Sequence, residues 1–442
     1  MSPLSAARVQ MELSLGFHMI FAAIGMAMPV MMLIAEWRWI RHREAESLAL
    51  ARAWATLTAV LFAIGAVSGT ALSFELGLLW PRFMAFAGPL IGPAFALEGF
   101  AFFIEAIFLG LYLYAWNRLT PMAHWLCGWA VAVSGALSGV LVLATNAWMQ
   151  HPVGFELSAD GLPVNIDAGA VLRNPAWALM AVHATLATYQ AVGFAVAGTY
   201  AWRMWRRGDD TRHASIGLGI AMSVATVATV LQPLAGDLLA KRAHEHQPAK
   251  LAAMEGQFTT ERRAPLRIGG WPDVEARETR YAIEIPGALS FLADGDIDTE
   301  VVGLDRIPRD EWPNVPVTHI AFQLMVGCGM VMLGVVAWYW FVRYRQRGAP
   351  TRRLPRALLV ALAGCAPLGF VALEAGWVVT EVGRQPWVIY GVMRTADAVT
   401  PVASVWGSLL AFTLLYAGLL VVLIVFLRSL ARTGAPAAES HR

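Results

Sequence analysis

Charge is scarce in this chain: Asp, Glu, Lys and Arg make up 14% of its 442 residues, against about 25% in a typical soluble domain. Lysine is almost missing, with Lys241 and Lys250 the only two. The net charge is +2, without the basic excess that a nucleic-acid partner calls for. Cysteine is equally sparse. Cys127, Cys328 and Cys365 each lie in an apolar run, no two stand at metal-ligand spacing, and no C-x-x-C-H occurs. That argues against a disulfide framework and against covalent haem attachment. The opening MSPLSAARVQ lacks a signal-peptide n-region and cleavage site, so the first apolar run reads as a retained span. Neither an inverted repeat of the transporter kind nor a low-complexity tract beyond the GAPAAES tail is visible.

Hydrophobicity is what remains: 57% apolar residues and a mean hydropathy of +0.55. Apolar runs bounded by charge fall at 13–35, 54–76, 92–116, 124–147, 175–202, 214–238, 317–342, 357–380 and 401–427. Each supplies the roughly 20 residues that cross a bilayer. None alternates as a membrane barrel does, and a lone segment in lipid satisfies its backbone only as a helix. The expected fold is therefore an all-α integral membrane protein of about nine transmembrane helices.

Arginines set the orientation. They follow spans one and three (Arg38, Arg41, Arg43, Arg118), fill the links between five and six and between seven and eight (Arg203 to Arg212, Arg343 to Arg356, Arg352 included), and follow span nine (Arg428, Arg432). The positive-inside rule puts the N-terminus outside and the C-terminus in the cytoplasm. The chain divides into helices one to six (1–238), an outside loop (239–316), helices seven to nine (317–430) and a cytoplasmic tail (431–442). The loop's ten Lys and Arg do not oppose this, because long loops translocate largely regardless of charge. Phe258, Trp271, Tyr281, Ile283, Ile285 and Phe291 argue that it is ordered.

Ionisable side chains inside a span are costly and mark function. His18, Glu98, Glu105, His183 and Glu374 qualify, with Met325 as a soft ligand. At 1.5 Å per residue, His18, Glu98, His183, Met325 and Glu374 converge on the outer leaflet from five helices. His and Met form a known axial pair for haem iron, so His183 and Met325 fit a clamp on a six-coordinate haem. The plainer alternatives are a histidine bonded to a helix neighbour and a methionine that merely packs. Glu98 and Glu105, seven apart, share a helix face and make either a proton line, extended by Ser134, Ser138 and Asn146, or half-buried ion-pair partners. Glu374, Trp377 and Glu381 share another face, with Arg384 beyond them placed to hold an anionic group or to anchor the interface. Lys250 and Glu255 lie near each other if KLAAMEGQF is helical, as a quinol-deprotonating pair or a solvated salt bridge.

Eight segments in this order resemble subunit I of the cytochrome bd quinol oxidases over nearly the whole chain: RVQMELSLGFH (8–18), FELGLLWPRF (74–83), GPAFALEGFAFFIEAIFLGLY (92–112), NAWMQHPVGF (146–155), NPAWALMAVH (174–183), KLAAMEGQF (250–258), AFQLMVGCG (321–329) and EAGWVVTEVGRQPW (374–387). The resemblance implies that His183 and Met325 ligate a low-spin haem b. It implies that His18, Glu98 and Glu374 serve a high-spin haem b and a haem d. Lys250 and Glu255 match the quinol site of the long loop, or Q-loop. Glu98, Glu105 and Ser138 match a proton route, and Arg8 and Arg384 match positions near haem propionates. The implied reaction oxidises ubiquinol or menaquinol at the outer face of the bacterial inner membrane and reduces O2 to water with cytoplasmic protons, generating proton-motive force without pumping. The implied partners are a second membrane subunit, subunit II, and very small single-span subunits, with no nucleic acid.

This sequence departs from the family at Gln323, where many relatives have arginine. The change removes a positive charge two residues from Met325 and is expected to ease oxidation of that haem or alter how a propionate is held. The loop also lacks a long C-terminal insertion, as in the short-loop subgroup that includes cyanide-insensitive oxidases with weak or missing haem d. Three rivals follow: the same architecture with only b-type haems, a haem-free scaffold that would have lost His18, His183 or Met325, and a proton-coupled transporter, which predicts helices broken at midplane.

Overall fold

Each of the nine apolar runs carries long helix in the computed structural model, which describes residues 3–347, 353–402 and 405–433, the ninth from Val405 on. Arg352 and most of the tail expected at 431–442 lie outside the described residues. In chain order the helices are α1 (Pro3–His42), α2 (Ala45–Leu79), α3 (Pro81–Tyr114), α4 (Pro121–Gln150), α5 (Gly169–Leu172), α6 (Trp177–Arg207), α7 (Arg212–His246), α8 (Pro248–Glu255), α9 (Ala288–Asp294), α10 (Val315–Arg345), α11 (Arg356–Cys365), α12 (Leu368–Val382), α13 (Thr395–Ala398) and α14 (Val405–Thr433). Most outrun their apolar cores. The 40 residues of α1 reach about 60 Å, twice the hydrocarbon thickness, because hydropathy marks the lipid-facing part while the backbone ladder continues until something ends it. Gly208 ends α6 in the left-handed conformation. Thr211 and Asn314 start α7 and α10 by accepting from Ala214 N and Val317 N. The expected loop start at 239 thus shifts, since α7 runs on to His246.

Span eight, expected as one helix, is two. Pro367 has no N–H to continue the ladder, Ala366 N turns back to Ala363 O, and α11 gives way to α12. This proline is the local cause of the break.

Contacts cluster the chain into two units. One holds the segments up to Ala85, Phe100–Ala136 and from Ala398 on; the other holds Phe86–Gly99 and Leu137–Asp397. In the first, α1 lies along α2 and α14 packs on both, around Phe21, Leu61 and Ile64 with Leu419 and Leu423 against them. In the second, α6 pairs with α7, α10 with α12, and α11 and α12 both pack on α6. That last contact is almost backbone to backbone: a Cβ on Gly369 would fall 2.4 Å from Ala191 Cα. Small residues of this kind are how membrane helices approach closely. Gly369→Val is therefore expected to lower the apparent melting temperature of the detergent-solubilised protein, at a cost of about 1–3 kcal/mol or more. Gly364→Ala, where a Cβ meets nothing within 4 Å, is the matched control expected to melt as the parent does.

The segment after α7 is ordered, as expected, but by other residues. Antiparallel pairs join Glu261–Arg262 to Glu300–Val301, Leu266–Ile268 to Ile283–Ile285, and Trp271–Asp273 to Glu278–Arg280. Leu251, Ala264, Leu289, Ala293 and Val301 form one core, and Ala252, Ala253, Phe258, Leu304 and Val315 another. Of the six side chains that suggested order, only Phe258 is buried; Trp271, Tyr281, Ile283, Ile285 and Phe291 are exposed.

Candidate functional site

In the first unit, His18 of α1 places Nδ1 3.0 Å from Ser68 Oγ of α2. A Cβ on Gly69 would fall 2.7 Å from His18 Cε1, so the ring uses the space that glycine leaves open. One and two turns earlier on α1, Ser14 Oγ and Gln10 Nε2 donate to Glu75 Oε1, at 2.7 and 3.1 Å. Glu75 is fully buried and its Oε2 has no partner. It lies inside FELGLLWPRF yet was not among the expected site residues; a carboxylate within an apolar run was the signal available. Arg8, half-buried, sits on the same helix. Glu105 of α3 is buried beside Gly25 of α1 and Gly135 of α4, whose Cβ positions would lie 3.6 and 3.0 Å from its Oε1. Ser134, expected to extend a proton line, instead gives its hydroxyl to Ala130 O of its own helix at 2.6 Å.

In the second unit, Glu98 accepts from Ser138 Oγ at 2.9 Å, a contact between α3 and α4. His183, near the start of α6, has a buried Nδ1 with no partner, and its Nε2 meets only the Gln232 amide at 3.3 Å. Met325 of α10 rests on α12, where a Cβ on Gly376 would stand 2.9 Å from its Sδ. Two residues before Gly376, Glu374 has a buried, unpartnered Oε1, as does Trp377 at Nε1. One further turn on, Glu381 accepts from Asn146 Nδ2 at 2.6 Å and pairs with Arg384 Nη2. Arg384 is buried and its Nη1 is left unpartnered. The contact from Asn146 crosses 235 positions of sequence, and no local pattern could have found it.

α8 gathers the ends of several helices. Gln150 Oε1, at the end of α4, accepts from Lys250 Nζ and Gln247 Nε2, both at 3.0 Å, and Lys250 Nζ also reaches Thr380 O of α12 at 3.4 Å. Burial, reinforced by the nearby Arg384 and opposed by Glu381, pushes the Lys250 ammonium down to about 7. Burial likewise raises Glu255 to about 7 against the pull of Arg267, and Glu255 Oε2 has no partner. The expectation that these two lie together as a bonded pair is not met. They are five residues apart on a helix, about 140° around its axis, and each faces its own surroundings. His319, fully buried near the start of α10, bridges Met254 O at 2.8 Å and Gly269 O at 3.0 Å. Gln323 one turn on accepts from Gly269 N and donates to Arg267 O. Gln323 thus ties the loop to the helix of Met325.

The family described as cytochrome bd terminal oxidase subunit I matches residues 6–435. A chain of the bd oxidase from Geobacillus thermodenitrificans superposes with a TM-score of 0.90 at 38% identity, covering 98% of this chain and 99% of that one. A Bacillus subtilis (strain 168) protein provisionally named cytochrome bd menaquinol oxidase subunit I is 36% identical, over 94% of each chain. The cytochrome bd ubiquinol oxidase subunit 1 of the same organism is 30% identical, over 97% of this chain and 93% of that one.

Proposed function

Because this chain belongs to the cytochrome bd terminal oxidase subunit I family, quinol:O2 oxidoreductases that carry haem and work with a second subunit, we propose that it oxidises quinol at the outer face of the bacterial inner membrane and reduces O2 to water with protons drawn from the cytoplasm. The separation of the two proton pools generates proton-motive force without a pump. The family match sets the transporter reading aside.

The observation that carries the reading is the set of unpartnered polar atoms on helices packed together in one unit. A buried imidazole nitrogen, a carboxylate oxygen and a guanidinium nitrogen left without partners (His183 Nδ1, Glu374 Oε1, Arg384 Nη1) are costly unless a ligand satisfies them. α12 packs on both α6 and α10, which carry His183 and Met325. This donor set fits a haem: imidazole and thioether as axial ligands, carboxylates as a hard alternative, arginine for propionates. His183 and Met325 hold the low-spin haem b in this reading, His18, Glu98 and Glu374 serve the high-spin haem b and haem d, and Arg8 and Arg384 hold propionates. Haem, when bound, supplies the one-electron chemistry and the place where O2 is reduced.

The chain's own part is proton handling and positioning. Glu255, as a carboxylate near neutral pH, takes a proton from a quinol hydroxyl, and Lys250, held by Gln150 and Thr380, orients the head group. Glu105, Glu98 and Ser138 carry protons towards the oxygen-reducing site. The N-terminus is outside in this reading, and small single-span subunits join subunit II in the complex.

A dithionite-reduced minus air-oxidised spectrum of the purified complex, with pyridine haemochrome analysis, tests it. A b-type α-band with a further band far to the red is expected. A b-type band alone would keep the oxidase but replace haem d with a third b-type haem, and absence of haem would end the reading.

A further inference from the structure

One buried polar cluster has no part in the function proposed above. Glu36 of α1, Tyr112 of α3 and His124 of α4 are all within 1% of complete burial, and all lie in the first unit. His124 Nδ1 is 2.7 Å from Glu36 Oε1, His124 Nε2 is 2.9 Å from Tyr112 O, and Tyr112 Oη donates to Glu36 Oε2 at 2.7 Å. Trp116 covers the imidazole, with ring centroids 3.9 Å apart. His124 is in the first turn of α4 and Glu36 in the last two turns of α1, followed by Arg38 and Arg41. The cluster therefore lies at the arginine-rich end of these helices.

Donor and acceptor bookkeeping fixes the proton count. A backbone carbonyl only accepts, so Nε2 carries a hydrogen towards Tyr112 O. The Nδ1–Oε1 contact then needs one more, either on an imidazolium facing a carboxylate or on a carboxylic acid facing a neutral ring. With Tyr112 already donating to Oε2, Glu36 and His124 share a single labile proton, and the pair is neutral while it holds it.

We infer that Glu36 and His124 form a one-proton store at the cytoplasmic end of the chain that reloads Glu105. The inference rests on the oxidase reading above. The same three helices surround both groups: Gly25 of α1 and Gly135 of α4 flank Glu105 on α3, and Tyr112 follows Glu105 by seven residues, about 10 Å along one face. Pro29 of α1 lies between the two levels. Having no N–H, it releases the Gly25 carbonyl from the helix ladder on the Glu105 side. Thr58 of α2, fully buried with its hydroxyl 3.5 Å from Met32 Sδ, adds a second polar group between the levels. In the transfer, the shared proton passes to the Glu105 carboxylate and leaves the pair with a charge of −1. A proton from the cytoplasmic side restores it, and no electron moves.

A cross-brace that merely ties α1, α3 and α4 together makes the opposite demand on substitutions. Glutamine reproduces the shape and both hydrogen bonds of Glu36 but cannot pass a proton; aspartate is shorter but can. In the purified two-subunit complex, Glu36→Gln is expected to slow quinol-driven O2 consumption at least tenfold. The rate and extent of anaerobic haem reduction by quinol should stay those of the wild type, and Glu36→Asp should recover a substantial part of the turnover. Glu36→Gln turnover within twofold of wild type, or Glu36→Asp slower than Glu36→Gln, would overturn the inference. If Glu36→Gln does not assemble, His124→Gln tests the same proton with the same expected split. A wild-type complex without quinol-dependent O2 consumption would end the oxidase reading itself, a result distinct from either.

Discussion

His183→Ala is expected to abolish the low-spin b-type α-band of the reduced complex while leaving the high-spin signal in place. The imidazole is the residue's whole contribution at that position. Its Nδ1 is buried without a partner and its Nε2 has only a long contact to Gln232, so alanine removes no protein hydrogen bond of consequence. A fold-wide effect is therefore not expected. The thioether left on Met325 is a soft and weak ligand that does not replace imidazole alone. Losing an outer partner of a metal ligand typically costs 10–100-fold; losing the ligand should cost more, and quinol-driven O2 consumption is expected to fall by over about 100-fold. Reduced-state absorbance of the purified variant reads the result directly. If the low-spin band survives, His183 and Met325 are not the axial pair.

The second large effect is expected at Glu255. A buried carboxyl that titrates near 7 is matched to its task, since a general base works best with a pKa close to ambient pH. Its active form is the carboxylate, which dominates above about 7, so wild-type quinol oxidation should decline as the pH falls below neutral. Glu255→Gln keeps the size but cannot accept the proton. Turnover is expected to drop about 10²–10⁴-fold, and the acid limb of the pH profile should vanish with it. Steady-state oxidation of a soluble quinol between pH 5.5 and 8.5 measures both. A variant that is slow but retains the acid limb would assign that limb to another group, with Lys250, pushed down to about 7, the next to test.

Much of this architecture is legible in hydropathy alone, because lipid demands long apolar helices and the chain has little else to offer. The nine runs became helices at the expected places, and the helical reading of KLAAMEGQF holds as α8. What hydropathy does not carry is where a polar side chain turns. Glu36 and His124 stand at the ends of their apolar runs and read as boundary residues, yet they are among the most buried polar groups. Glu75 was hidden by its place in a familiar segment. Lys250 and Glu255 are neighbours in sequence and were expected to act as neighbours in space, but helix geometry separates them and supplies Lys250 with partners from α4 and α12. Pro367 was in plain view, but hydropathy does not register it, and the break appears only where the backbone ladder stops between α11 and α12.

The near-absence of lysine has a practical consequence. Lys241 is paired with Asp237 at 2.8 Å near the end of α7, and Lys250 sits nine residues later on α8, half-buried against Gln150. Apart from an amino terminus, a primary-amine reagent finds no other target on this chain. Chemistry that is indiscriminate on most proteins becomes site-directed here without any engineering. At alkaline pH an acylating label reports on two positions, Lys241 near the end of α7 and Lys250 on α8, and protection of Lys250 by an added quinol analogue can be read against Lys241 as the internal reference.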